Sequence, residues 1–203
     1  SIMGTIFVDN LEPQSGTTLT LGASGDAINL ASGATAGFGK IGQVVTTTFT
    51  GTESATSKAS DGSFTDSSVY ASLTPSATSS KIMVMATINA GSTSSSNGVH
   101  IGRFTQAISG GSTTAVFIGD AASNRVRTSA GRRTSSTGTN TILTHGFNFG
   151  LTPSTTSAVT VKYQFAIRGG GSGTAYINRS DTDSDTTEYQ RTASAITLME
   201  ILA

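Results

Sequence analysis

A chain of 203 residues with 12 basic and 12 acidic side chains carries no net charge to draw it onto nucleic acid or an anionic membrane. Cysteine is absent, which excludes a disulfide framework, a thiolate metal site and a cysteine nucleophile. Ser and Thr supply about a third of the residues and Gly is high at 24, yet hydrophobic residues reach 35% in clear strand patterns, so the chain reads as folded and β-rich.

Residues 1–42 read as one segment. It holds an opening strand, Thr5-Ile6-Phe7-Val8, a turn at Pro13-Gln14-Ser15-Gly16, and two short units of one kind. Leu19-Thr20-Leu21 is followed by Ser24-Gly25, and Ile28-Asn29-Leu30 by Ser32-Gly33. Each is an apolar-polar-apolar strand cut off by turn residues. Strands this short bury too little to stand alone. They need either a larger body or sister chains wrapped about a common axis, as in a fibre stem. Gly33 to Gly42, rich in Gly and Ala, reads as a connector.

Residues 43–203 read as one all-β domain, with no helical period of useful length. The predicted strands are 44–50, 81–88, 99–104, 114–118, 141–149, 158–168 and 195–202. In the run 158–168, Val159, Val161, Tyr163, Phe165 and Ile167 share one face, while Thr160, Lys162, Gln164 and Arg168 share a wet one. In 81–88, Met83 and Met85 make the second face apolar too, which predicts a central strand or one facing a partner subunit. The chain's last residues are also apolar, with Ile196, Leu198, Met199, Ile201 and Leu202, and are expected inside a sheet or an interface. Loops of Gly, Ser, Thr and Asn at even spacing predict a β-sandwich or jelly roll.

Candidate sites are few. Arg125, Arg127, Arg132 and Arg133 fall in NRVRTSAGRR, read as a loop between two strands. Guanidinium forks there suit sulfate, phosphate or carboxylate on a surface polysaccharide. The plainer alternative is pairing with carboxylates of a neighbouring subunit. Asp181, Asp183 and Asp185 alternate as calcium ligands can, but the turn glycine and the distant Glu of an EF-hand are missing. A solvated hairpin tip is the plainer reading, so no metal and no cofactor is expected.

His100 and His145 read as structural histidines, and no GxSxG elbow accompanies them. Gly169-Gly170-Gly171-Ser172-Gly173 follows a strand but precedes no helix, so it reads as a hairpin loop and not a phosphate cradle. No pair of carboxylates is singled out for glycan hydrolysis, and Trp is absent, so no enzyme is expected.

The block GTIFVDNLEPQSGTTLTLGASGDAINLASGAT near the start resembles the starts of short fibre-like virion proteins of tailed bacteriophages, of the tail-fibre or head-fibre type, especially those of marine and cyanobacterial hosts. AYINRSDTDSDTTEYQRTASAITLMEI is similar to the ends of the same group. The resemblance implies an N-terminal segment for attachment and trimerisation, with Ile6, Val8, Leu19, Leu21, Ile28 and Leu30 as its candidate contacts, and a jelly-roll head.

The expectation is therefore a non-enzymatic homotrimeric virion fibre assembled in the host cytoplasm. It would dock on other proteins of the tail or capsid by residues 1–42 and bind host cell-surface polysaccharide by its head. Neither nucleic-acid binding nor membrane insertion is expected; no signal-like apolar run precedes the first strand. The alternative is a capsid-decorating or collar protein without receptor binding.

Overall fold

The computed structural model describes residues 40–93, 98–133, 139–168 and 173–202, all within the compact unit Lys40–Ala203. The candidate attachment residues Ile6, Val8, Leu19, Leu21, Ile28 and Leu30 lie outside the described residues. Among these there is one helical turn, Ala59–Asp61, and everything else regular is strand.

The first sheet is built on the long β4 (Lys81–Ser92). Strand β8 (Leu143–Leu151) pairs along one of its edges. Along the other edge, β11 (Ser194–Ile201) and β10 (Ala175–Ile177) lie end to end. Outside them run β1 (Ile41–Phe49) on β11 and β2 (Glu53–Ala55) on β10. Asn178 explains why both rows break at the same level. In a left-handed conformation (φ 61°), its side-chain amide donates to the carbonyls of Phe49 (2.8 Å) and Gly51 (2.9 Å). Its Oδ1 accepts from the Ser194 hydroxyl at 2.6 Å.

The second sheet repeats the plan. Its spine is β5 (Val99–Ile108), flanked by β9 (Val159–Ile167) on one edge, with β3 (Thr65–Leu73) outside β9. Along the other edge β6 (Thr113–Val116) and β7 (Ala130–Arg133) lie end to end. With each end-to-end pair counted as one row, chain order places rows one, eight, three and six in the first sheet and two, seven, four and five in the second. Every pairing between these strands is antiparallel, with one isolated parallel bridge between Lys58 and Ile167, and this order is that of a jelly roll.

Alternation decides which side chains enter. On β9 the inward set is the one legible in the sequence, with Val159, Val161, Tyr163, Phe165 and Ile167 buried. On β11 Ile196 and Leu198 are fully buried, and the strand lies between β1 and β4, as its apolar end demands. Aromatic rings fill the middle: Phe104 packs on Phe147 (5.1 Å), Phe149 (5.1 Å) and Tyr163 (5.2 Å), largely edge-on or tilted, the favoured geometry for their quadrupoles.

Two local expectations are corrected. Four of the ten residues of NRVRTSAGRR are not loop: Ala130–Arg133 is β7, paired with β5. The Asp181–Asp185 run is not a hairpin tip, because β10 and β11 pair with β4 and not with each other. The glycine run, expected as a hairpin loop, lies at residues 169–172 outside the described ones; β9 before it and β10 after it belong to different sheets.

Candidate functional site

The outward faces of the two sheets differ in chemistry. On the second sheet, the outward residues of β9 are Thr160, Lys162 and Gln164, flanked across the register by Ser72, Tyr70 and Asp66 of β3 and by Ala107, Thr105 and Arg103 of β5. These polar groups are tied into a ladder. Lys162 Nζ donates to Asp66 at 2.8 Å, Gln164 Nε2 donates to the other Asp66 oxygen at 2.6 Å, and Arg103 Nε donates to Gln164 Oε1 at 2.8 Å. The hydrogen bond from Lys162, then that from Gln164, holds the Asp66 carboxyl below its usual range. Two rings flank the ladder: the Arg103 guanidinium lies 3.9 Å over Phe64, and Lys162 Nζ 5.4 Å over Tyr70, which is 46% exposed.

Between these strands runs an open groove of about 420 Å³ lined by Asp66, Thr105, Ala107, Thr113, Thr160, Lys162 and Gln164. A bulge in β3 shapes its rim. Asp66 pairs with Gln164 and Tyr70 with Lys162, so Ser67, Ser68 and Val69 stand opposite Tyr163 alone. Ser67 Oγ takes over the missing backbone bond by donating to the Tyr163 carbonyl at 2.7 Å. Ser68 is pinned from the other sheet, its hydroxyl donating to Glu53 at 2.7 Å and its N–H to the same carboxylate at 3.0 Å. Bulges re-aim side chains, and this one sets Asp66 and Tyr70 on either side of the bend.

The outward face of the first sheet is a contrast. Its cross-strand rows are Ile41–Ile201–Lys81, Val44–Met199–Met83–Gly150, Thr46–Thr197–Met85–Asn148 and Thr48–Ala195–Thr87–Gly146. Across β1, β11, β4 and β8, Lys81 is the one outward charge among the described residues. Ile41, Val44, Met83 and Met85 are exposed, Met85 by 39%. Gly146 and Gly150 have open space where a side chain would stand, so the β8 side is flat. A depression of about 210 Å³ lies among Met85, Gly146, Asn148, Ala195 and Thr197.

The sequence-predicted site residues fall elsewhere. Arg125, Arg127, Arg132 and Arg133 are all exposed, two in the β6–β7 connection and two on the outer edge of β7. Arg127 Nε donates to the Gly119 carbonyl at 2.6 Å, so that guanidinium is partly spent on its own loop. Asp181, Asp183 and Asp185 do not converge on a cation site; among the described residues no group of three His, Cys, Asp or Glu does. Asp183 is instead clamped by Arg191 (2.7 and 2.8 Å) and Arg179 (3.3 Å), while Asp181 accepts from the Tyr176 hydroxyl at 3.1 Å. A carboxylate already facing two guanidinium groups is a poor calcium ligand.

Two buried polar groups tie the sheets together. His100 is buried, and burial pushes its pKa down to about 3, so it is neutral. Its Nδ1 lies 3.3 Å from the Gly91 carbonyl and its Nε2 3.1 Å from the Tyr163 hydroxyl. Because a carbonyl only accepts, Nδ1 carries the proton and Tyr163 donates to Nε2. His145, expected to be satisfied, instead has a buried Nε2 with no hydrogen-bond partner among the described residues. At the far end Glu200, 1% exposed, accepts from Gln43 Nε2 (2.9 Å), the Ser76 N–H (2.6 Å) and the Ser76 hydroxyl (2.7 Å). Burial opposes its ionisation, but these donors outweigh burial and bring its pKa down to about 2.

The chain matches no protein-family model and no curated protein. Among solved structures it is similar to the VP2 subviral particle of infectious bursal disease virus, at 17% identity and a TM-score of 0.32, over 79% of this chain and 37% of that one. Structures of the Gx and Gt strains of the same virus match at 17% and 16% identity with TM-scores of 0.34 and 0.32, each over 88% of this chain and 42% of theirs. The chain thus spans less than half the length of these structures. Its fold rests on the strand pairing itself.

Proposed function

We propose that this chain is a non-enzymatic structural protein of a virion, of the short fibre-like kind carried by tailed bacteriophages, assembling as a homotrimer. Residues 1–42 dock on tail or capsid proteins, and the jelly-roll body points outward to hold host cell-surface polysaccharide. The observation that carries the reading is the outward face of the first sheet. It is flat, nearly uncharged and apolar at one end, and a second copy meets no charge repulsion there beyond Lys81. Four strands at about 4.8 Å spacing and eight residues at about 3.3 Å make roughly 500 Å² per copy. Turned toward a threefold axis, three such faces together bury roughly 1,500 Å², the scale of a specific interface.

An antibody raised against the body should label intact particles of the virus that encodes the chain, at the tail or on the capsid. Label found only in unassembled lysate contradicts the reading. Label spread over the capsid of a particle whose host cells do not bind the chain favours a decorating or collar protein. Release of reducing sugar ends from host polysaccharide by the purified chain contradicts the non-enzymatic part.

A further inference from the structure

We propose that the groove on the outer face of the second sheet, between Asp66, Lys162, Gln164 and Thr160, is a saccharide-binding site for an uncharged sugar unit. This deepens the reading above and rests on it, but places the ligand on the sheet face and not on the arginines of the β6–β7 edge.

The chemistry of the lining selects the ligand. Within one groove stand a carboxylate acceptor, Asp66, two donors, Lys162 and the Gln164 amide, and the hydroxyls of Thr105, Thr113 and Thr160. Vicinal sugar hydroxyls each donate and accept, so a fixed acceptor beside fixed donors is the complement they need. Asp66 and Lys162 neutralise one another at 2.8 Å, and Arg103, stacked over Phe64, is not among the lining residues, so the lining itself carries no net charge to draw a polyanion or a polycation. Apolar peptide finds little here, since Ala107 is the one apolar lining residue. The groove's size lies within the range of small-molecule sites.

The groups are held before any ligand arrives. Asp66 is fixed by two hydrogen bonds, and Gln164 is oriented by Arg103, so its amide nitrogen faces Asp66 and its oxygen faces the guanidinium. The β3 bulge, braced by Ser67 on Tyr163 and by Glu53 on Ser68, keeps the edge strand bent. Tyr70, half exposed at the flank of the groove, has Lys162 Nζ 5.4 Å over its ring, which helps hold that donor in place. Pre-positioned donors and acceptors lower the ordering cost that weakens most sugar sites.

The test is retention of the full chain on a printed array of bacterial lipopolysaccharides, capsular polysaccharides and neutral glucans. It compares the wild type with Lys162→Met, with Thr160→Trp to fill the groove, and with the double variant Arg125→Ala/Arg127→Ala. Circular dichroism and the melting temperature confirm that each variant is folded. The proposal expects the wild type to bind a subset of uncharged glycans, both groove variants to lose about tenfold or more, and the arginine variant to stay within about twofold. Binding that survives both groove variants but falls with the arginine variant overturns the groove and leaves the adhesion reading standing. Wild-type binding to none of the printed glycans overturns both.

Discussion

The two outward faces of this sandwich come from strands of similar length and alternation, yet they have opposite chemistry. Where β9 turns Thr160, Lys162 and Gln164 outward, β4 turns Met83, Met85 and Thr87 outward. The inward sets are equally apolar, so the core does not require the difference. A face that only has to meet water gains from charge and loses from methionine. The first sheet's face has the chemistry of a covered surface and the second sheet's that of an open one. On the function proposed above, one body would carry an assembly side and a recognition side, back to back across the core.

Removing the shared support should break the comparison altogether. Deleting residues 197–203 takes most of the strand between β1 and β4, with buried Leu198 and Glu200, and should leave no cooperatively folded protein by circular dichroism. Next in size is Gly102→Ala. A Cβ at Gly102 would stand 1.7 Å from the Tyr163 hydroxyl, a buried group bonded to His100 that has nowhere to swing. Such overpacking should cost about 3 kcal/mol in denaturant unfolding and weaken both faces together.

Acid should weaken the core that both faces share. Glu200 is an acid whose folded pKa, about 2, lies below the ordinary 4.5, so its stabilisation is present above 4.5 and is lost as pH falls toward 2. The loss is on the order of 3 kcal/mol. Glu200 sits beneath the Ile41 and Val44 rows of the first sheet. His100, depressed from 6.5 to about 3, adds an earlier loss that begins below 6.5. Glu200→Gln should flatten the lower part of the stability-against-pH curve and leave the upper part intact. A curve unchanged by Glu200→Gln would contradict the assignment.

The smallest effect sharpens the contrast. Lys162→Met removes a partly exposed ion pair with Asp66 and should change stability by less than about 1 kcal/mol, while saccharide retention falls. A melting temperature that drops as far as for Gly102→Ala would make the ladder a stability device and not a recognition one.

Much of the fold was legible in the sequence because its longest strands obey alternation. The run 158–168 contains β9 almost without error, and 81–88 and 195–202 lie on β4 and β11. Strand β3 was not legible, because its inward positions are Ser67, Val69, Ala71 and Leu73, small or polar, and a bulge disrupts its period. Strands β2, β7 and β10 have three or four residues, too few for any period to register. The groove was legible by half. Lys162 and Gln164 stood out as a wet face, but Asp66 lies 96 residues away from Lys162 along the chain, and only pairing with β3 brings them together. The arginine and aspartate runs drew attention because they are contiguous. The structure spends Asp183 on Arg179 and Arg191, and divides the arginine run between the β6–β7 connection, with Arg125 and Arg127, and β7, with Arg132 and Arg133.

If the first sheet's outward face, charged only at Lys81 among the described residues, is covered by sister copies, the solution mass of the full chain reveals it. Light scattering at micromolar concentration should return three times the 20.5 kDa of one chain, falling to a single chain for a folded Met83→Glu/Met85→Glu variant. A monodisperse wild-type particle of 20.5 kDa, or a trimer that the double variant leaves intact, would contradict it.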